Sequence, residues 1–213
     1  LMRPEEVLNK FGNDKYQVTP DTFKMGIHHV LGKEIAKRFD NKGIVADVCT
    51  GAGFMALCLA ERAKKVIVVD TNPNHLKLVK ENAKVAGLLD RFEFLENDAL
   101  DENLFNPLTN INAIFTDPDW ALPENAKGDH VSSIYHMGPP IDSLFNNLKS
   151  FTQNIAIRLP KEVNLDELDS FPEHEIEAAY LDNKLKFYTV YFGDLIRGPG
   201  GTTLSLSSSD ADK

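Results

Sequence analysis

The stretch from Gly43 to Asp70, GIVADVCTGAGFMALCLAERAKKVIVVD, constrains this chain more than any other. Ile44, Val45, Ala46 and Val48 make a continuous apolar run, the pattern of a strand buried on both faces of a parallel sheet. The run leads through Asp47, Val48, Cys49 and Thr50 into Gly51-Ala-Gly53, and Phe54 to Arg62 follow at helical spacing. A second apolar run, Val66 to Val69, ends in Asp70 and Thr71. This is a strand–helix–strand unit with a glycine-rich first turn and an acid at the tip of its second strand. Such a unit binds an adenosine-bearing cofactor at the carboxyl ends of its strands.

Two cofactor classes compete for the unit. Gly51-Ala-Gly53-Phe-Met-Ala56 satisfies the dinucleotide pattern G-x-G-x-x-G/A, so a nicotinamide or flavin remains open on the turn alone. Glycines there let the backbone bend tightly and approach the ligand. Asp70 can hydrogen-bond ribose hydroxyls in either case. Asp47 favours the other class. A carboxylate just before the glycines repels a pyrophosphate but attracts S-adenosylmethionine, which carries an ammonium and a sulfonium. The bland reading of Asp47 is a solvated acid at a strand end. Asp47, Thr50, Gly51, Gly53, Asp70 and Thr71 are therefore the cofactor-binding candidates of this unit.

The rest of the chain sets the frame. A length of 213 residues suits one domain with a sizeable core, and 42% hydrophobic with 26% charged residues is ordinary for a soluble protein. No apolar run approaches the roughly 20 residues of a membrane helix. The N-terminal LMRPEEVLNK has no secretory apolar core, so a cytoplasmic protein is expected. The sequence opens on Leu rather than Met, as a piece of a longer chain would. Cys49 and Cys58 are the only cysteines, which fits a reducing compartment and no structural zinc. A formal net charge of −9 argues against a long grip on nucleic acid, which rests on neutralising phosphates.

Val7, Leu8 and Phe11 mark a short helix, and Gly12-Asn-Asp14 a turn. Thr19-Pro20 starts a further helix, Thr19 as cap, expected to run through Ile27, Val30, Leu31 and Ile35 to Phe39 and to pack on the sheet. Asn72-Pro73 opens a helix that Gly87 stops, with Lys77, Lys80 and Lys84 on its solvated face. Phe92 to Leu95 is a third strand. Asp98 and Ala99 follow it, and Asp98 either meets the cofactor's adenine or caps a short helix. Ile111 to Thr116 is a fourth strand, and the polar segment from Ala121 to Pro140 a substrate-facing loop. Helical segments are expected at Ile141 to Phe151 and Asn164 to Phe171, with the strand Asn154 to Leu159 between them. Glu175 to Leu181 and Leu185 to Phe192 flank Asp182-Asn183 as a hairpin. His130 and His136 read as solvated loop residues, and the histidines show no metal spacing. The expected fold is α/β, a doubly wound, mostly parallel seven-stranded sheet with an antiparallel terminal strand. Residues 1–42 are its N-terminal helical segment, 43–197 the core, and 198–213 a flexible Gly/Ser-rich tail.

Asp117-Pro-Asp-Trp120 ends the fourth strand and resembles the D-P-P-W/Y/F motif of enzymes that methylate exocyclic base amines. Such an amine is a poor nucleophile, because its lone pair is delocalised into the ring. Acceptors at Asp117 and the Pro118 carbonyl stabilise the charge growing on nitrogen and aim the lone pair. Trp120, the only tryptophan, can stack on the base or simply belong to the core.

Four stretches together resemble the trimethylguanosine synthase family, the RNA cap guanine-N2 methyltransferases, which share the class I methyltransferase fold. They are Tyr16-Gln-Val-Thr-Pro20, the loop Asp47 to Gly53, Asp117 to Trp120, and Asn183 to Ile196, NKLKFYTVYFGDLI. The resemblance implies methyl transfer from S-adenosylmethionine to the 2-amino group of guanine in an RNA or nucleotide; the residue spacings and apolar runs add the expectation of no metal and no membrane partner. It implies Thr19 near the cofactor's methionine end, Asp47 and the glycine turn along it, Asp70 on its ribose, and Trp120 stacked on the base. Asp117 stands where the eukaryotic cap enzymes carry serine, Asp119 where the family has a second proline, and Ala121-Leu122 where it has two glycines. Two alternatives remain: transfer to another amine-bearing base or small metabolite, or a cofactor-binding module without catalysis.

Overall fold

The computed structural model describes residues 2–120, 130–198 and 200–212. Three short helices lead in: α1 (Pro4–Phe11), α2 (Pro20–Met25) and α3 (His29–Ala36). Then come β1 (Ile44–Val48), α4 (Phe54–Ala60), β2 (Lys65–Asp70), α5 (Pro73–Val85), β3 (Phe92–Glu96) and β4 (Ala113–Thr116). The chain continues with α6 (Ile141–Leu148), β5 (Ile155–Pro160), β6 (His174–Leu181), β7 (Lys184–Phe192) and β8 (Gly200–Leu206).

The strands form one sheet in the order β3-β2-β1-β4-β5-β7-β6-β8. β7 pairs antiparallel with β5 and β6, and every other pairing is parallel. Strand alternation sorts the core onto two faces. Val45, Val66, Val68 and Phe115 point toward α1, α3, α4 and α5, while Ala46, Val48, Ile67 and Ile114 point toward α6. The order reverses between β1 and β4, and ligands of such sheets bind at that switch point, beyond the carboxyl ends of the strands.

The α/β sheet has eight strands rather than seven, and the additional one is in the expected flexible tail. β8 pairs with β6 from Glu175↔Gly200 to Leu181↔Leu206. Its anchor is Glu175, a buried acid that accepts the N–H groups of Arg197 (2.7 Å) and Gly198 (2.9 Å) and the hydroxyl of Thr202. Glu175 is held in turn by Arg38, whose Nη1 and Nη2 each lie 2.7 Å from it. Arg38 also meets Glu177 at 2.8 Å and stacks 3.8 Å from the Tyr191 ring centre. The tail is thus ordered by polar anchors on other elements, which its own composition does not show.

The expected helix from Pro20 to Phe39 is broken. Gly26 turns extended after α2, and a Cβ there would lie 2.7 Å from the Phe11 ring. The chain restarts at His28, whose ring accepts the N–H of Val30 and caps α3. Likewise α6 stops at Leu148, and between Asn164 and Phe171 only Leu165–Leu168 coil, as a 3₁₀ turn. The hairpin turn is as expected: Asp182 and Asn183 both take positive φ (51° and 64°), the combination that matches the twist of paired strands. Among the described residues no helix is long and apolar enough to cross a membrane.

Candidate active site

A cavity of about 880 Å³ opens over the carboxyl ends of β1, β2 and β4. Of the cofactor candidates, Thr50, Gly51, Asp70, Thr71, Asp98 and Ala99 line it, and Asp117, Pro118 and Trp120 line it as well. The glycine turn and the Asp-Pro-Asp-Trp tip, 64 residues apart between Gly53 and Asp117 in number, therefore face one space.

The turn is held by Asp70. One carboxylate oxygen accepts the Gly51 N–H at 3.0 Å and the other accepts the Asn72 N–H at 2.9 Å. His75 Nδ1 lies 3.3 Å from Asp70, and this hydrogen bond raises the His75 pKa. Gly51 sits at φ +57° with open space where a Cβ would project, so the turn presents bare backbone to the cavity. Gly53 does different work. It stands before α4 at φ +83°, and a Cβ there would strike Val79 of α5 at 2.7 Å. Its role is helix packing.

Asp47 is not the solvated acid of the bland reading. It lies on the α4 side of β1 beneath the turn and is 1% exposed. Thr50 donates to Oδ2 at 2.8 Å, while Oδ1 is buried with no donor in hydrogen-bonding geometry among the described residues. Burial pushes its pKa up to about 8, the charges of Asp117 and Asp70 adding to the rise and the Thr50 hydrogen bond opposing it. Thr19 also stands back from the cavity. It caps α2, accepting the Thr22 N–H, and thereby presents Asp21, Lys24 and Met25 as a cavity wall. Asp98 accepts the N–H of Leu100 at 2.9 Å and closes a turn; no helix follows it. Asn147 of α6 donates to the Ala99 carbonyl at 2.7 Å and ties that turn to the sheet's other face.

At the tip, Asp117 pairs with Arg158 of β5, Nη1 to Oδ2 at 2.8 Å. The same Nη1 donates to the Met25 carbonyl at 3.0 Å. The guanidinium carbon is 4.7 Å from the Trp120 ring centre and 4.4 Å from that of Phe187. Burial raises the Asp117 pKa, and Arg158 pulls against that rise. Arg158 was not among the sequence candidates, although a lone charge in the apolar run Asn154-Ile-Ala-Ile-Arg-Leu159 is a signal that some buried acid must answer it. His130 is a second correction. It lines the cavity, meets Trp120 edge-on at 5.4 Å and lies 3.2 Å from Glu162, rather than standing free in solvent. Asp119 is anchored by backbone bonds to Gly138, while Ala121 and Leu122 lie outside the described residues.

The lining suits a cationic ligand with hydroxyls. Asp21, Asp70, Asp98, Asp117 and Asp119 face the cavity and Asp47 lies under it, against Lys24, Arg158 paired with Asp117, and His75 at Asp70. A sulfonium and an ammonium fit this donor set, whereas a pyrophosphate meets mostly anions.

Solved structures share the fold. A Porphyromonas gingivalis W83 protein assigned to the methyltransferases superposes with a TM-score of 0.72 at 17% identity, over 91% of this chain and 48% of its own. M. capricolum TrmK, solved with S-adenosyl-homocysteine, gives a TM-score of 0.55 at 14% identity, over 80% of this chain and 69% of its own. In sequence, an uncharacterized protein of Methanocaldococcus jannaschii, MJ1452, is 36% identical over 70 residues, which is 33% of this chain and 27% of that protein. The chain thus spans about half of the first structure and about a quarter of that relative. The chain has the α/β fold of these methyltransferase structures. A family model described as RNA cap guanine-N2 methyltransferase matches residues 42–195, and the chain belongs to that family.

Proposed function

We propose that this protein methylates the exocyclic N2 amine of guanine in RNA, with S-adenosylmethionine as donor. One observation carries the reading: Asp117, Pro118 and Trp120 line the same cavity as the Gly51–Asp70 turn. When bound, the cofactor supplies an electrophilic methyl group whose bonding electrons return to sulfur on transfer. Asp70 and Thr71 would hold its ribose, Asp98 and Ala99 its adenine, and Thr50 and Gly51 its amino-acid end, with Asp47 compensating positive charge from below. Thr19 would act through the placement of α2. Asp117 and the Pro118 carbonyl accept hydrogen bonds from the guanine amine, orienting its lone pair and stabilising the positive charge that builds on nitrogen as the N–C bond forms. The surplus proton of that nitrogen then leaves toward the Asp117 carboxylate. Trp120 lines the cavity and would supply a ring for stacking, with Arg158 also lying over that ring. Residence in a reducing cytoplasm belongs to the same proposal and is supported by Cys49 and Cys58 being free thiols.

The test is transfer of label from isotopic S-adenosylmethionine to capped RNA, ribosomal RNA, transfer RNA and free guanine nucleotides, followed by digestion to nucleosides. Label is expected on guanine N2. Label on adenine or on a small metabolite would move the protein to another amine, and cofactor binding without any transfer would make it a binding module. Asp117→Ala is expected to lower kcat by on the order of 100-fold or more while leaving cofactor affinity nearly intact.

A further inference from the structure

Arg158 is an expensive residue to place where it stands. It lies in the middle of β5 with its side chain 8% exposed, and its Nε is buried with no acceptor among the described residues. A buried cation left partly unsatisfied is a poor device for stability, since an apolar residue of similar size often serves as well or better. What the position does accomplish is contact with three parts of the cavity at once. Nη1 reaches the Asp117 carboxylate at the tip of β4 and the Met25 carbonyl at the end of α2. The guanidinium lies over the rings of both Trp120 and Phe187. The tip's acceptor, its aromatic ring and the opposing wall are therefore referenced to one planar group on a rigid central strand.

We propose that Arg158 is a positioning residue of the transfer reaction, holding Asp117 as a charged acceptor and bracing Trp120 and α2 around the substrate amine. The proposal rests on the guanine reading for the identity of that amine. Its physical core concerns only Asp117. The Asp117 side chain is only half-buried, 25% exposed, but partial removal from water already favours drift toward its neutral form, and a neutral carboxyl spends a lone pair on its own proton and aims poorly at an NH₂ group. Arg158 from β5 is the cation set against that drift. Asp119 in the same loop pushes the other way, while burial holds Asp47 and the Cys49 thiol toward their neutral forms. His130 reaches the neighbouring Trp120 and pairs with Glu162 instead. Lysine would supply charge at this site but neither the flat stacking surface nor the forked donor geometry.

The experiment compares wild type, Arg158→Met and Arg158→Lys. The Asp117 carboxyl is followed by carbon NMR against pH in the substrate-free protein, and kcat and KM are measured with the guanine substrate across pH. Arg158→Met is expected to raise the Asp117 titration midpoint, to move the acid limb of kcat upward with it, and to lower kcat by on the order of 100-fold with S-adenosylmethionine affinity retained. Arg158→Lys is expected to restore the titration midpoint but only part of kcat. An Asp117 titration that is the same in wild type and Arg158→Met overturns the proposal, as does an acid limb that stays in place while activity falls. The double variant Asp117→Asn/Arg158→Met, which buries no lone charge, is expected to melt no lower than either single variant. If Arg158→Met does not fold, Arg158→Gln, which keeps a polar group there without the charge, is titrated in its place, and an unmoved midpoint overturns the proposal equally. Because the titration needs no substrate, it separates the two claims: a wild type inert on every guanine probe sinks the guanine reading, whereas a normal titration in Arg158→Met sinks the role of Arg158.

Discussion

At Asp47 a short stretch of chain supplies a carboxylate next to two glycines, and the fold then buries it under them. Its Oδ1 faces no donor in hydrogen-bonding geometry among the described residues, and its pKa stands at about 8. An unfolded Asp titrates near 3.9, so between about pH 4 and pH 8 the folded protein holds a proton that the unfolded chain has released. The folded pKa being raised, stability is full below that window and falls as pH climbs through it. Asp47→Asn is therefore expected to melt above wild type at pH 8 without ligand, the difference closing near pH 4. Thermal melts at the two pH values check this, and a difference of equal size at both would show that charge is not the cause. A cation bound above Asp47 favours its ionised form. The same variant should thus bind S-adenosylmethionine about tenfold more weakly by calorimetry at pH 8. Residue type was legible at Asp47, but charge state was not, because it depends on burial by α4 and on Asp117 and Asp70 from other strands.

β8 and α2 make the corresponding point for segments. GGTTLSL carries little apolar content and reads as tail, yet it closes the sheet because Glu175 collects Arg197, Gly198 and Thr202 around a carboxylate already locked by Arg38. Burial alone would raise the Glu175 pKa; Arg38, Gly198, Thr202 and Arg197 together bring it down to about 2. With a depressed folded pKa, the contribution is fully present above about pH 4.5 and is lost as pH falls toward 2. Glu175→Gln should lower the melting temperature at pH 7 and flatten the pH dependence of stability in that acid window, read by denaturant unfolding at pH 5 and pH 2.5. An unchanged melting temperature at pH 7 would show that β8 is held by backbone pairing alone. The break at Gly26 has the same origin. Apolar spacing from Ile27 to Phe39 fits one long helix, but the Phe11 ring needs the space a side chain at position 26 would fill.

Across the chain as a unit, charge separates two kinds of substrate. The net charge is −9, the cavity is lined by aspartates, and on α5 Lys84 is paired with Glu81. Affinity for polyanions grows with each phosphate neutralised, and little here would neutralise phosphates beyond the target nucleotide. KM is therefore expected to change little between a short guanine-containing oligonucleotide and a long RNA carrying the same target, with a shallow dependence on salt. Kinetics with a length series at two ionic strengths measure this. A KM that drops steeply with RNA length and rises steeply with salt would reveal a phosphate track that the charge distribution does not suggest.

By itself the sequence determined the order of strands from β1 to β7, the glycine turn with Asp70, the hairpin at Asp182-Asn183 and the Asp-Pro-Asp-Trp tip. Each of these depends on neighbours a few residues away: hydrophobic period, a cap, a positive φ. Only the tertiary structure decided that Asp47 is buried, that β8 joins the sheet, and that Arg158 is the counter-ion of Asp117. Those outcomes rest on pairings over 41 residues for Arg158 with Asp117 and 137 for Arg38 with Glu175, and on removal from water, which a linear pattern does not encode.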